Sequence, residues 1–370
     1  MGTITRSFAN NITSGGTFDA TDLTGTIPAS NIADASVGNI TDVPALVLVS
    51  TVASDPPSPD TGQIWYNTTD KALRAYIQGA DAWVTGGNLN TGRSDLGGAG
   101  GTDTTSGLAF AGRTSTPERV TNTESYNGST WTELNDVNSA ICLHGGAGTQ
   151  TSALSFGGRL SPGPNGYVTQ TESWDGTSWT TSPGNLNTAR GYLAGVGADN
   201  TSVLAFGGLL VPGPAAVTES WNGSSWTEVN DLNTGRYGIG GVGNQTAALG
   251  FGGNNPTPGY VALTESWNGT SWTEVNDLNT GRSYIAGCGT QTVALSFGGL
   301  VDPTVTNLTE SWNGTSWTEV NDLNLARDRF AGSGTASSAL GFGGGPPGII
   351  NQAATEEFSP AIVTTDLGVS

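Results

Sequence analysis

Short apolar runs that end in paired glycines recur along most of this chain, and polar segments separate them. The clearest runs read SALSFGG, SVLAFGG, AALGFGG, VALSFGG and SALGFGG. A stretch of small residues precedes each run, and a loop of variable sequence follows it. The phrase Thr-Glu-Ser-aromatic comes next, with a tryptophan a few residues later. Because short apolar runs bounded by Gly and Pro are typical of β-strands, each unit of the pattern predicts four short strands.

The unit repeats with a nearly constant period. Its last tryptophan falls at Trp83, Trp131, Trp179, Trp226, Trp272 and Trp317, with spacings of 48, 48, 47, 46 and 45 residues. A period of roughly 45–50 residues with fixed Gly and aromatic positions is typical of a β-propeller, in which each repeat forms one four-stranded blade. The repeat therefore predicts an all-β fold.

The sequence Asn-Gly follows the first tryptophan of several repeats, as at 268–269. Asn-Gly between alternating residues predicts a two-residue hairpin turn, since both turn residues need positive φ. That turn would pair Trp267 with Thr270 and Glu265 with Trp272, and strand alternation would place all four on one face. Two large rings in each blade then predict an aromatic layer between blades.

Four features recur in register along residues 72–360: Gly-Gly after an apolar strand, Glu-x-aromatic, a nearby Trp, and an Arg roughly ten residues later. Together they resemble the kelch repeat. The recurring positions, besides the six tryptophans above, are Glu172, Glu219, Glu265, Glu310, Arg190, Arg236, Arg282 and Arg327. We interpret them as structural because they repeat in every blade, although Ile141 replaces the Arg of the second repeat. The resemblance implies a six-bladed kelch-like β-propeller over residues 87–360.

The last repeat has no tryptophan after its Thr-Glu-Glu-Phe phrase, whereas a hairpin module at 60–86 carries Trp83 ahead of the first repeat. In kelch-like propellers an early strand often completes the final blade. We therefore expect the segment around Trp83 to close the ring and remove the exposed sheet edges. The C-terminal tail, 361–370, is a competing candidate for the same place.

Residues 1–59 differ from the rest: they are rich in Thr, Ser, Ala, Asn and Gly and contain no Trp. The phrases LTGTIPASNI and NITDVPAL resemble fibrous segments of bacteriophage tail fibres, and residues 60–83 resemble a hairpin module of phage fibre and tail proteins. The resemblance implies an extended segment that docks to other virion proteins or forms a homo-oligomer such as a trimer. It also implies a place in the virion, after assembly in the host cytoplasm and release by lysis. The phrase SDPPSPD (54–60) is typical of a stiff linker.

The formal net charge of −19 narrows the range of partners. Binding to nucleic acid phosphates needs a basic surface, so nucleic acid is excluded as a partner. Anionic membrane surfaces are disfavoured for the same reason, and no apolar stretch reaches transmembrane length, so no membrane insertion is expected. The charge is compatible with glycans, cations or basic proteins, or with solubility alone.

Catalytic residue types are scarce. His144 is the single histidine and takes a position that other repeats fill with Leu193, Ile239 or Ile285. One histidine supports neither a copper site nor a Ser-His-Asp triad, and no zinc-ligand spacing is present. Cys142 and Cys288 fall in non-adjacent repeats and are expected to be small buried residues. The sequence therefore predicts no enzyme activity, no cofactor and no metal site.

The loops after the paired glycines depart most from the repeat. Equivalent loops project from one side of a propeller, and variable loops on a rigid scaffold commonly carry recognition. The candidate ligand-binding residues in them are Arg113, Arg119, Arg159, Tyr167, Asn254, Asn255 and Tyr260. The sequence favours a bacteriophage virion protein of the receptor-binding tail-fibre type, whose propeller binds a host surface glycan or protein. The alternatives are a decoration protein of capsid or tail and, less favoured, a polysaccharide-depolymerising enzyme.

Overall fold

Every regular element of the computed structural model is a β-strand, which confirms the predicted all-β fold. The structure describes residues 50–54, 63–114, 118–161, 166–257, 259–345 and 352–366. The predicted extended segment falls outside these residues except for 50–54, and so does most of the predicted linker. The chain forms two compact units, one of residues 81–359 and one of residues 1–80 with 360–370.

The smaller unit contains a hairpin where the sequence predicts a hairpin module. Strand β1 (Ser50–Val52) pairs in parallel with β2 (Ile64–Asn67), and β2 pairs antiparallel with the start of β3 (Ala72–Thr85). The side chain of Asn67 accepts hydrogen bonds from the backbone N–H groups of Thr69 (3.0 Å) and Asp70 (3.1 Å). This Asx arrangement fixes the turn between β2 and β3.

Five consecutive four-stranded antiparallel sheets occupy most of the described part of residues 81–359. In each sheet the small-residue segment is the first strand, the apolar run is the second, and the Thr-Glu-Ser-aromatic hairpin supplies the third and fourth. The strands are β4 (Gly97–Gly100), β5 (Gly107–Phe110), β6 (Thr123–Tyr126), β7 (Trp131–Glu133), β8 (Gly145–Thr149), β9 (Ser152–Phe156), β10 (Thr171–Trp174), β11 (Trp179–Thr181), β12 (Ala194–Asp199), β13 (Ser202–Phe206), β14 (Thr218–Trp221), β15 (Trp226–Glu228), β16 (Gly240–Gly243), β17 (Ala248–Phe251), β20 (Thr264–Trp267), β21 (Trp272–Val275), β22 (Ala286–Gly289), β23 (Ala294–Phe297), β26 (Thr309–Trp312) and β27 (Trp317–Val320).

Two further strand pairs are short hairpins in the loops after the paired glycines: β18 (Asn254–Asn255) with β19 (Gly259–Tyr260), and β24 (Leu300–Val301) with β25 (Thr304–Val305).

The last sheet combines strands from both ends of the sequence. It contains β28 (Ala331–Thr335), β29 (Ser338–Phe342) and β30 (Thr355–Asp366), and β3 lies next to β30. Residues 361–366, which the sequence assigns to a C-terminal tail, continue β30.

Aromatic contacts link each sheet to the preceding one. The last Trp of a sheet donates its indole N–H to the Thr that begins the third strand of the preceding sheet, at 2.9–3.1 Å, and packs on the Phe of its second strand, with ring centroids 4.7–5.0 Å apart. The Trp, Thr and Phe of each contact are Trp131 with Thr355 and Phe342, Trp179 with Thr123 and Phe110, Trp226 with Thr171 and Phe156, Trp272 with Thr218 and Phe206, Trp317 with Thr264 and Phe251, and Trp83 with Thr309 and Phe297.

The first strands also follow one another in contact. Strand β4 packs on β8, β8 on β12, β12 on β16, β16 on β22, β22 on β28, and β28 on β4. Together with the four-stranded sheets, these contacts give residues 81–359 a β-propeller-like fold.

The predicted two-residue Asn-Gly turn is wrong. In the fourth sheet Trp267 pairs with Trp272 and Glu265 pairs with Glu274, so four residues connect the strands and Thr270 lies in the turn. The Asn268 side chain accepts the backbone N–H groups of Thr270 and Ser271, both at 2.9 Å. This side-chain capping replaces the backbone turn that Asn-Gly would otherwise form, and within the turn only Gly269 has positive φ, at +89°.

The recurring Arg and Glu side chains form buried ion pairs. We call the segment that leads from the last strand of one sheet to the first strand of the next a link. In five sheets the Arg of the preceding link contacts a carboxylate oxygen of the Glu on the third strand, and both side chains are at most 3% exposed. The pairs are Arg93–Glu124, Arg190–Glu219, Arg236–Glu265, Arg282–Glu310 and Arg327–Glu356. An Asn of the same link donates two hydrogen bonds to the second carboxylate oxygen, as Asn233 does to Glu265 at 2.7 and 2.8 Å. The charges are thus both paired and hydrogen-bonded, which burial requires.

The second sheet satisfies its glutamate without an arginine. Ile141 stands at the Arg position, and Gln170 donates its amide N–H to Glu172 at 2.6 Å and to Ser139 at 2.7 Å. Asn138 still donates to the other carboxylate oxygen, at 2.8 and 2.9 Å. One neutral donor thus takes the place of the guanidinium.

The first strands of neighbouring sheets approach each other closely because these strands contain glycines, such as Gly195, the second residue of β12. A Cβ atom on Gly195 would overlap the ring of Phe156 and lie 2.9 Å from the carbonyl oxygen of Gly146, both in the preceding sheet. We expect Gly195→Ala to lower the free energy of unfolding by about 1–3 kcal/mol, as overpacking does. Gly213→Ala is the matched control, since nothing lies within 4 Å of a Cβ at that position. Urea unfolding followed by tryptophan fluorescence measures both, and equal midpoints would contradict the close approach.

Candidate functional site

Six residues, one from each link that precedes a first strand, form a closed circle of backbone hydrogen bonds in residues 81–359. Each donates its N–H to the carbonyl oxygen of the corresponding residue in the preceding link, at 2.7–3.2 Å. The donor and acceptor pairs are Asp95 to Arg329, Leu143 to Asp95, Tyr192 to Leu143, Gly238 to Tyr192, Tyr284 to Gly238 and Arg329 to Tyr284. We call these six residues the central ring. The circle gathers side chains that are far apart in sequence.

All members of the central ring have left-handed backbone conformation. Their φ angles are 55° to 62°, and of the six only Gly238 lacks a side chain. A residue with a side chain loses on the order of 1 kcal/mol or more in this region, and such residues cluster at binding and catalytic sites. The central ring is therefore the strongest candidate site in the described residues.

Three tyrosines pack together at the central ring. The ring centroids of Tyr192 and Tyr284 are 5.3 Å apart. Tyr237 immediately precedes Gly238 of the central ring, and its ring centroid lies 5.9 Å from that of Tyr192 and 6.2 Å from that of Tyr284. All three side chains are partly exposed. Burial raises the pKa of the Tyr192 and Tyr284 hydroxyls well above the usual value. Both phenols therefore stay neutral and present an apolar face beside a hydrogen-bonding group.

Charged residues lie next to the tyrosines. The Asp95 carboxylate is 2.5 Å from Nε of Arg113 and 3.9 Å from Nε of Arg329, and Arg329 Nη1 is 2.9 Å from the Asp328 carboxylate. The Arg329 guanidinium also lies over the Tyr284 ring, 4.4 Å from its centroid, where cation–π attraction holds it. Burial raises the pKa of the Asp95 carboxyl, although the charges of Arg113 and Arg329 act to lower it. Burial also raises the pKa of Asp328, to about 6. This network fixes two guanidinium groups at the surface.

Four of the predicted ligand-binding residues lie beside the central ring and contact one another. Arg113 and Arg119 pair across their loop, and so do Arg159 and Tyr167 in the next repeat. The two loops meet where Arg119 Nε donates to the carbonyl oxygen of Arg159 at 3.0 Å. The Arg159 guanidinium lies 5.8 Å from the Tyr167 ring centroid, and that ring approaches Gly191, the neighbour of Tyr192.

The other three predicted residues belong to the hairpin of the fourth sheet. Asn254 pairs with Tyr260, and it also bridges to Tyr237, which brings this hairpin to the tyrosine cluster. The side chain of Asn255 donates to the carbonyl oxygen of Gly235 at 3.0 Å. Asn255 is therefore engaged in holding the hairpin to its link.

His144 is buried beside the central ring. Its ring centroid is 5.5 Å from that of Phe110, and burial lowers its pKa to about 3. The imidazole is therefore neutral at physiological pH and packs as an apolar ring. Cys142 and Cys288 are free thiols, both buried.

Sequence reasoning missed Asp95, Tyr192, Tyr237, Tyr284 and Arg329. The residue two places after the repeat arginine, or after Ile141, changes between Asp, Leu, Tyr, Gly and Arg along the repeats, and that variation is a signal for the ring positions. Variation at a position that repeats in register is therefore as informative as variation in loops.

Among the described residues, no group of three or more His, Cys, Asp or Glu side chains is placed to hold a metal ion.

That part of the chain also has no helix with the length and apolar character needed to cross a membrane.

The chain matches no protein-family model and no curated protein.

Proposed function

We propose that this chain is a bacteriophage virion protein of the receptor-binding type, in which a six-bladed kelch-like β-propeller binds a glycan or protein on the host surface. The central ring supports six blades, because six links contribute one residue each and the last bonds to the first. Strand β3 beside β30 supports closure by an N-terminal strand, with Trp83 in the place of the missing repeat tryptophan.

The observation that carries the binding function is the combination of backbone strain with aromatic and charged side chains at the central ring. Four of its members with left-handed backbone, Asp95, Tyr192, Tyr284 and Arg329, gather aromatic faces, a carboxylate and a guanidinium in one place. Folding alone does not require these side chains, since Leu143 and Gly238 occupy equivalent positions. A rigid scaffold that presents Tyr and Arg at a shared centre suits recognition.

The same residues give less support to an enzyme. His144 is buried with neither ring nitrogen hydrogen-bonded, and the Asp95 carboxylate is only 2% exposed. A general acid or base must reach the reacting atoms, and neither group has that access. We therefore favour binding over depolymerisation of a polysaccharide.

The virion assignment rests on the likeness of residues 1–83 to phage fibre segments, and electron microscopy tests it. We expect an antibody against residues 72–370 to place immunogold at tail or fibre tips of particles from the source lysate. Gold over the capsid or along the tail would instead support the decoration function. The absence of gold from every particle would contradict the virion assignment.

Adsorption to host cells tests the receptor role. An excess of the free full-length protein should reduce phage adsorption severalfold, because it competes for the same receptor. Unchanged adsorption at saturating protein would count against receptor binding. Oligosaccharide products released from host polysaccharide would instead favour the enzyme.

A further inference from the structure

The positive charges of residues 81–359 are divided between two environments. This unit contains nine arginines and no lysine. Five of them are the buried partners of glutamates described above. The remaining four are Arg113, Arg119, Arg159 and Arg329, all partly exposed, and all at the central ring or in the two loops beside it. In a chain of net charge −19, the solvent-accessible cations of this unit are thus concentrated on one face.

The carboxylates in this cluster lie deeper than the guanidinium groups. The side chains of Asp95 and Asp328 are 2% and 6% exposed, whereas those of Arg113 and Arg329 are 24% and 28% exposed. Asp95 contacts Arg113 through Nε. A ligand that approaches from solvent therefore meets guanidinium N–H donors rather than carboxylate oxygens.

The exposed donors adjoin the aromatic faces. Arg329 lies on Tyr284, which packs against Tyr192 and Tyr237, and Tyr167 continues the aromatic surface beside Gly191. Guanidinium groups bind carboxylates through paired, charge-assisted hydrogen bonds. Tyrosine rings offer a flat apolar face and a neutral hydroxyl, which match the C–H face and hydroxyl groups of a pyranose.

We propose that the central ring, together with the adjacent Arg113 and Tyr237, binds the carboxylate of an acidic saccharide, a uronic-acid or sialic-acid type sugar. Arg113 and Arg329 contact the carboxylate, and the tyrosines pack against the sugar ring. This inference rests on the proposed function and specifies the ligand class for the same site. The carboxylate replaces water on the exposed guanidinium edges, while Asp95 and Asp328 hold those guanidinium groups in position beneath it.

Binding of the full-length protein to defined oligosaccharides tests the inference. The probes are uronate- and sialate-bearing oligosaccharides, each paired with its carboxyl-reduced, neutral counterpart. We expect the acidic members to bind more than tenfold tighter, with an affinity that falls as salt rises. Arg113→Gln and Arg329→Gln should each weaken binding roughly 10- to 100-fold, the range for a hydrogen bond to a charged group.

Two further variants separate binding from folding. Arg329→Lys retains the charge near Asp328 but loses the planar fork, so it should fold and still bind more weakly than the parent. Lys71→Asn is the control, because it also removes one positive charge but lies outside residues 81–359. Lys71 has left-handed backbone conformation, which Asn tolerates, so this variant should fold and bind with unchanged affinity. Circular dichroism confirms folding of each variant.

The outcomes distinguish this inference from the proposed function. Equal affinity for acidic and carboxyl-reduced sugars, or unchanged affinity in folded Arg113 and Arg329 variants, would overturn the acidic ligand. If the same protein still blocked phage adsorption, receptor binding would stand with a different ligand. Tight binding of acidic sugars without any effect on adsorption would support the site and contradict the receptor role.

Discussion

Arg236→Met should destabilise the protein by about 3–5 kcal/mol, since it leaves the buried carboxylate of Glu265 without its ionic partner. The Arg236 guanidinium also donates to the carbonyl oxygens of Gly252 (2.9 Å) and Thr234 (3.0 Å), so its loss leaves these acceptors unsatisfied. Urea unfolding monitored by tryptophan fluorescence measures the effect. Asn233 continues to donate to the second oxygen of Glu265, which limits the damage to one side of the carboxylate.

The second sheet provides the control for this prediction. There Ile141 takes the position of the arginine and Gln170 donates to Glu172, and Leu263 is the equivalent of Gln170 in the fourth sheet. We expect the double variant Arg236→Ile with Leu263→Gln to recover at least half of the stability lost in Arg236→Ile alone. No recovery would show that the neutral arrangement depends on features peculiar to the second sheet.

Trp83→Ala should cost about 3–5 kcal/mol, as truncation of a buried Trp does elsewhere. Trp83 is 4% exposed, packs on Phe297 and Phe358, and donates its indole N–H to Thr309 at 3.1 Å. Trp272 makes the equivalent contacts with Phe206 and Thr218 in an internal sheet. Since both tryptophans occupy the same environment, Trp83→Ala and Trp272→Ala should shift the urea midpoint by similar amounts.

The comparison of these two variants tests closure by the N-terminal strand. If a segment other than the one around Trp83 took the place beside β30 in solution, Trp83→Ala would have little effect while Trp272→Ala remained costly. A deletion of residues 361–370 gives the complementary control, and we expect it to cost much less than Trp83→Ala.

The strand content followed from local sequence. Apolar runs ending in Gly-Gly and the repeated Thr-Glu-Ser-aromatic phrase place the second and third strands of each sheet correctly, as at Ala248–Phe251 and Thr264–Trp267. Gly and Pro end these strands by local backbone preference, which a sequence displays directly. The register of the hairpin could not be predicted from local sequence. The side chain of Asn268 accepts backbone N–H groups of the turn in place of a backbone carbonyl, and whether it does so depends on atomic geometry.

The candidate site could be predicted only in part. Arg113, Arg119, Arg159 and Tyr167 come from variable loops and lie together, as expected for loops on one side of a scaffold. The position of their neighbours at the central ring could not be predicted from the sequence. Asp95 and Arg329 are 234 residues apart in sequence, and nothing local indicates that their backbones are joined by a hydrogen bond.

The sequence alone determined the period, the strand order within each repeat and the single repeat that lacks its arginine, because these are properties of neighbouring residues. Tertiary structure decided that the first and last repeats meet, that six left-handed residues form a circle, and that the exposed arginines share one face with the tyrosines. The physical reason is that each of these features arises from contacts between repeats, whose partners are chosen by packing and not by local preference.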